Sequence, residues 1–285
     1  MPRLFCFGLG YTALALAEIV RARGFSVAGT VRSPEKADRL RARGLEVHLM
    51  DRDRPLADFG AALAGASHIL STVPPDAAGD PVLDLHGADL ARLRGIEWAG
   101  YLSTTGVYGD RGGDWVDEES PLAPVSDRGQ RRVAAEAGWA ATGLPLHVFR
   151  LPGIYGPGRN AIAQLRAGTA RAIVKEGQVF SRIHVDDIAA ALAASIAAPN
   201  PGRAYNICDD EPAPPWAVIE HAADLAGLPR PPRVDFEAAD LSPMARSFWG
   251  ESKRVSNRRM RAELGVTLAY PTYREGLAAL LAAGA

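Results

Sequence analysis

The residues best placed to do chemistry stand at the start of the chain, in Gly8-Leu9-Gly10-Tyr11-Thr12-Ala13. The run fits the spacing G-x-G-x-x-G/A. The first glycine permits a tight turn, and the second lets main chain approach a pyrophosphate. The small Ala13 allows close helix–strand packing, and the helix that follows turns its N-terminus toward the anion. Farther on, Thr30-Val31-Arg32-Ser33 closes a second apolar run, with no acid until Glu35. An acid at that point would bond the ribose hydroxyls of NAD, whereas an arginine would accept the extra phosphate of NADP. Arg32, assisted by Lys36, therefore points to NADP, with NAD as the alternative. The plainer reading leaves Arg32 an exposed charge beside a helix-capping serine.

These residues need elements to hold them. Leu4–Gly8, Phe25–Val31, Leu45–Met50, His68–Val73, Trp98–Ser103 and His147–Leu151 read as short buried strands. Between them lie helical patterns at Tyr11–Arg23, Pro34–Arg43, Ala57–Leu63, Val82–Leu93 and Gln130–Thr142. Ser33-Pro34 is a helix start, and Gly24 and Gly44 are stops. Strand and helix alternating this often mean an α/β fold with a doubly wound parallel sheet, the Rossmann arrangement. The expected organisation is a dinucleotide-binding part over residues 1–150. Residues 151–285 would hold later sheet strands and a smaller C-terminal substrate-binding part. There a helix from Ala161, an apolar helix at Asp186–Ala198, a strand at Ala204–Ile207 and helices at Trp216–Ala226, Arg258–Gly265 and Tyr273–Ala283 are expected. The stretch from Gly227 to about Pro243 reads as irregular.

Composition narrows the function. The 285 residues carry 32 basic and 33 acidic side chains, a net charge of −1, which argues against a nucleic-acid partner. Two cysteines exclude a disulfide framework, and the six histidines lack ligand spacing, so no metal is expected. No apolar run reaches the roughly 18 residues of a membrane span, so the expectation is a cytoplasmic protein with a small-molecule substrate and no membrane partner.

Four ordered segments resemble a known family. Leu102-Ser103-Thr104-Thr105-Gly106-Val107-Tyr108-Gly109-Asp110, Arg150-Leu151-Pro152-Gly153-Ile154-Tyr155-Gly156-Pro157-Gly158-Arg159, Ile183-His184-Val185-Asp186-Asp187-Ile188-Ala189 and Tyr205-Asn206-Ile207-Cys208-Asp209 are similar to motifs of the extended short-chain dehydrogenases/reductases, the NAD-dependent epimerase/dehydratase group. The tail, with Lys253-Arg254-Val255-Ser256-Asn257, resembles that of a bacterial atypical subgroup. The resemblance implies an epimerase, dehydratase or reductase acting on a sugar derivative or carboxylate. It adds Asp51, Thr72, Val73, Leu151 and Pro152 to the cofactor contacts. It also implies that Thr104 polarises a carbonyl and that Tyr108 stands near the active-site mouth. Members often pair into homodimers, an implication of the resemblance alone.

The departure from the family pattern is as informative as the match. Members carry Tyr and Lys four residues apart before the sixth strand. The aligned Arg128-Gly129-Gln130-Arg131-Arg132 puts Arg128 and Arg132 at those positions, on one helix face. Guanidinium holds its proton above pH 12 and cannot shuttle it, but it can hold a carboxylate or phosphate. The usual mechanism is therefore expected to be lost and the pocket kept. The alternative is a catalytically silent NADP(H)-binding sensor or interaction module. Tyr108, Tyr155, His184 and Asp186 are the substitute acid/base candidates. Packing is the plainer reading for the tyrosines, and bracing of the next helix for His184 and Asp186. Asp117 and Glu118 read as a solvated face.

Overall fold

The computed structural model of the chain describes residues 1–284. Strand β1 (Arg3–Phe7) leads into α1 (Tyr11–Ala22), β2 (Ser26–Val31), α2 (Pro34–Arg41), β3 (Glu46–Leu49), α3 (Phe59–Ala62), β4 (His68–Ser71), α4 (Pro81–Arg92) and β5 (Trp98–Thr104). Then follow β6 (Trp115–Val116), α5 (Asp127–Ala140), β7 (Leu146–Leu151), β8 (Gly153–Tyr155), α6 (Ala161–Arg166), β9 (Ala172–Val174), β10 (Arg182–His184), α7 (Val185–Ala197) and β11 (Ala204–Asn206). Last come α8 (Pro215–Ala226), β12 (Arg233–Asp235), α9 (Pro243–Ser247), β13 (Arg254–Val255), α10 (Arg258–Leu264) and α11 (Tyr273–Ala282).

The central sheet has seven strands in the order β11-β7-β5-β4-β1-β2-β3. The pairs β1–β2, β1–β4, β2–β3 and β4–β5 are parallel. The chain starts in the middle, runs outward through β2 and β3, and returns to β4 on the other side of β1. That reversal is a topological switch point, and an open α/β sheet binds ligands outside the strand ends at such a point. The sheet is the Rossmann-like one expected. β1, β2, β4 and β5 are buried along nearly their whole length because both faces of the sheet are covered, whereas the edge strand β3 buries only Val47 fully. Phe5, Phe7, Ile69, Ala99, Tyr101 and Trp139 form one buried cluster.

The contacts divide the chain into two compact units, each assembled from three stretches. One holds Met1–Thr104, Gln130–Arg150 and Ile188–Tyr205; the other holds Thr105–Gly129, Leu151–Asp187 and the residues from Asn206 onward. The second unit has its own core of Tyr155, Ile162, Ala172, Ile219, Tyr273 and Leu277. It also has three two-stranded parallel pairs, β8–β10, β9–β12 and β6–β13. Pairs of two or three residues are too short to show a period-2 pattern, so the sequence did not announce them. One of them, β12, lies in the stretch expected to be irregular, as does the start of α9. α5 begins at Asp127, three residues before the expected Gln130. No helix among the described residues is long and apolar enough to cross a membrane.

Candidate functional site

A cavity of about 480 Å³ in the first unit opens at the switch point, lined by the glycine turn and by the ends of β2, β3 and β4. Gly8 closes β1 with φ +89°, and a Cβ there would lie 2.6 Å from Thr72 Oγ1. Only glycine fits both conditions. The turn is tied down on both sides: Gly8 N–H donates to Thr30 Oγ1 (2.9 Å), and Thr72 Oγ1 donates to Gly8 O (2.7 Å). Gly10 differs. Its backbone is extended, and a Cβ there would meet nothing nearer than Thr72 Oγ1 at 3.9 Å. The space above it belongs to the cavity. Gly10 is also the N-cap of α1, and it brings no capping side chain. An unfilled approach to a helix N-terminus suits a pyrophosphate.

Of the residues expected to contact a cofactor, Gly8, Gly10, Arg32, Ser33, Asp51, Thr72 and Val73 line this cavity together. Tyr11, Thr12 and Ala13 form the first turn of α1 behind it, with Ala13 fully buried. Leu151 is buried at the end of β7, and Pro152 follows it; neither lines the cavity. Ser33 caps α2 by accepting from Lys36 N–H (3.3 Å). Asp51 accepts from Arg54 (2.6 Å) and from Asp53 N–H (3.1 Å), so its carboxylate is held by its own turn. Exposed Arg32 and half-buried Lys36 give the rim its charge. Burial, then the nearby charges of Arg39 and Arg32, holds the Lys36 ammonium below the usual lysine range. The sequence reading missed Arg52 and Asp76 in the same wall. The signal was there in Asp51-Arg52-Asp53-Arg54, four alternating charges directly after a strand.

The candidate catalytic residues are reached from β5 and α5. Thr104 is half-buried at the end of β5. Its neighbour Ser103 donates to Glu136 on α5 (2.5 Å), and Arg150 on β7 grips the same carboxylate through Nε (3.2 Å) and Nη2 (2.9 Å). All three side chains are buried. Arg132, one turn before Glu136, donates Nη1 to Tyr101 Oη (3.1 Å) and Leu102 O (2.5 Å). It thus braces the strand that ends at Thr104. In the second unit, the Arg128 guanidinium lies 3.7 Å from the ring centre of Phe248, a cation–π stack. Nearby on the chain, Ser126 donates to Glu251 (3.3 Å), and Glu251 pairs with buried Lys253 (2.7 Å).

Tyr108 is fully buried, and its hydroxyl donates to Asn206 Oδ1 (2.7 Å). Tyr155 is buried against His184, their rings in T-shaped contact at 5.1 Å. The Tyr270 ring centre lies 4.1 Å from that of the same histidine, whose Nδ1 accepts from Asp186 N–H (3.2 Å). Glu118 corrects an expectation. It is buried rather than solvated, because its carboxylate accepts from Asn206 N–H (2.7 Å) and faces Arg259. Burial pushes its pKa up.

A second cavity, of about 380 Å³, lies wholly within the second unit, between β8, α6, α8 and α11. Arg159, Arg171 and Arg182 line it, with Asn160, Tyr155 and Tyr273, and no carboxylate is in its wall. Arg182 is held by the carbonyls of Phe180 (2.8 Å) and Ala213 (3.2 Å). Behind it, burial pushes the Asp209 carboxyl up to about 8, against the pull of Arg182. Between pH 4 and 8 the native chain therefore keeps a proton that the unfolded chain has released. Stability contributed by this group falls as pH rises through that window and levels off above it. Asp209→Asn is expected to gain on the wild type from pH 5 to pH 9, read as the difference in Tm at each pH.

Known proteins extend the picture. A sequence profile of the NAD dependent epimerase/dehydratase family matches residues 10–208. Protein YeeZ of Escherichia coli strain K12 is 29% identical over 286 residues, which cover 95% of this chain and 97% of YeeZ. A functionally unknown conserved protein from Silicibacter pomeroyi is 52% identical and superimposes with a TM-score of 0.91, with 99% of each chain covered. MoeE5, solved with UDP-glucose and NAD, is 20% identical with a TM-score of 0.77, covering 99% of this chain and 98% of its own, a likeness of fold. A profile match over more than half of the chain, on a fold with a glycine turn at its switch point, means that the chain belongs to the NAD dependent epimerase/dehydratase family.

Proposed function

We propose that the chain binds NADP(H) in preference to NAD(H) and handles a small anionic substrate, such as a nucleotide-linked sugar or a carboxylate, without a tyrosine–lysine proton shuttle. The carrying observation is the basic rim of the first-unit cavity. Arg32 and Lys36 stand just after β2, and the two carboxylates in the same wall are taken by other arginines, Asp51 by Arg54 and Asp76 by Arg52. A 2′-phosphate would relieve the repulsion between those cations and gain charge-assisted bonds. A bound nicotinamide supplies hydride transfer. The chain's own part is to bind, orient and hold charge.

The substrate half of the reading is supported by the second cavity, where three guanidiniums without a carboxylate favour a phosphate or carboxylate group. Thr104 is assigned the role of polarising a carbonyl. Arg132 is partly spent on Tyr101 and Leu102 and Arg128 stacks on Phe248, and the two together are assigned the anion-holding role. One observation favours the second reading, a silent NADP(H)-binding sensor or interaction module. The Tyr108 hydroxyl is committed as a hydrogen-bond donor to Asn206 Oδ1, and neither arginine can exchange a proton near neutrality.

Titration calorimetry with NADPH and NADH tests the cofactor. NADPH is expected to bind at least about tenfold more tightly, and Arg32→Ala to erase most of that margin. Equal affinities in the wild type would end the NADP assignment. UDP-glucose added to the NADPH complex is expected to bind, and to bind more weakly in Arg171→Ala. No binding of UDP-glucose or of citrate would end the anionic-substrate reading.

A further inference from the structure

We propose that Arg52 is the latch of the adenine end of the dinucleotide cavity, a positioning residue that sets how fast the cofactor leaves. The proposal rests on the cofactor reading above. Arg52 follows β3 in a turn. Opposite it, the loop after β4 runs through Pro74, Pro75 and Asp76 to the start of α4. The guanidinium spans the two. Nε and Nη2 donate to the two oxygens of Asp76, each at 2.8 Å, and Nη2 also reaches Gly79 O (2.9 Å). Nη1 pairs with Asp84 on α4. Four of the five N–H donors that an arginine carries are thus used within the protein.

The loop is also closed on itself. Asp76 N–H donates to Gly79 O (2.9 Å), and Asp76 Oδ1 accepts from Ala78 N–H (2.8 Å). Gly79 has φ +140°, and a Cβ there would lie 2.9 Å from Asp84 Oδ2, so no side chain fits where the guanidinium meets α4.

Arg52 and Asp76 both line the cavity. In this type of crevice the pyrophosphate faces the start of α1 and the ribose faces the end of β2. The base then continues toward the end of β3, where Arg52 stands. With its donors taken, Arg52 has little to offer the base directly. Its effect is to hold the two loops in one arrangement, so that less ordering is charged to binding. The Arg52 side chain is 28% exposed and the Asp76 and Asp84 side chains 43% each, so the clasp owes its hold to its several simultaneous bonds rather than to burial.

The test uses the full chain and three probes: NADPH, adenosine 2′,5′-bisphosphate and nicotinamide mononucleotide. In Arg52→Met, stopped-flow release of NADPH is expected to be about tenfold faster, with the association rate within about twofold. The adenosine bisphosphate should weaken by the same factor, and the mononucleotide should bind as to the wild type. Asp76→Asn keeps the shape, removes the charge, and should move the same values the same way. It decides the matter if Arg52→Met does not fold. NADPH release within about twofold of wild type in the folded variants would overturn the latch. So would equal weakening of the mononucleotide, which would mean general loosening. Wild-type protein that binds neither NADPH nor NADH would instead overturn the cofactor reading beneath it.

Discussion

Gly10→Val is expected to cost at least about 100-fold in affinity for NADPH and NADH alike, or about 2.7 kcal/mol, while the chain still folds. The two effects separate because of where Gly10 sits. Its φ of −89° and ψ of −166° are open to any residue, and its Cβ position is clear of protein atoms to 3.9 Å. Valine is a poorer N-cap than glycine, which would lower Tm by about 2–4 °C. The added methyl groups, however, stand in the space that a pyrophosphate needs. Gly8→Ala makes the contrast. There φ is +89° and the Cβ would press on Thr72 Oγ1, so the fold itself should lose about 1–3 kcal/mol. Calorimetric titration and thermal melts of both variants read the difference. A Gly10→Val protein that binds NADPH like wild type would remove this cavity as the cofactor site.

Glu136→Leu is expected to lower stability by about 3–5 kcal/mol, roughly a 10 °C fall in Tm. Glu136 and Arg150 are both buried and joined by two hydrogen bonds, and Ser103 adds a third to the same carboxylate. Removing the acid takes the paired carboxylate away from a buried guanidinium, and that penalty dominates. The double change Glu136→Leu with Arg150→Met removes both charges and should recover most of the loss. If the double variant is as unstable as the single, the cost lies in packing rather than in charge. The position matters for function as well. Ser103 precedes Thr104, so this buried triad fixes the end of β5 that carries the residue proposed to polarise a carbonyl.

Much was legible in the sequence because the signals are local. A glycine that must take positive φ, a serine before a proline at a helix start and apolar runs ended by glycine each act over a few residues. They were enough for the Rossmann sheet, the glycine turn into α1 and the basic residue at the end of β2. Tertiary structure decided what depends on residues distant in sequence. Glu118 looked like a surface acid until the backbone of Asn206, 88 positions later, took it into the interior. Arg132 stood on the proper helix face, but only the packing of α5 on β5 committed it to Tyr101 and Leu102. Glu136 and Arg150 lay in separate motifs and became one ion pair. Arg52 gained its role from Asp76 and Asp84, 24 and 32 positions away. In each case the sequence supplied a charge, and the fold chose its partner. Pairing a charge that is leaving water depends on which group stands within about 3 Å, and that distance is set by the register of strands and helices.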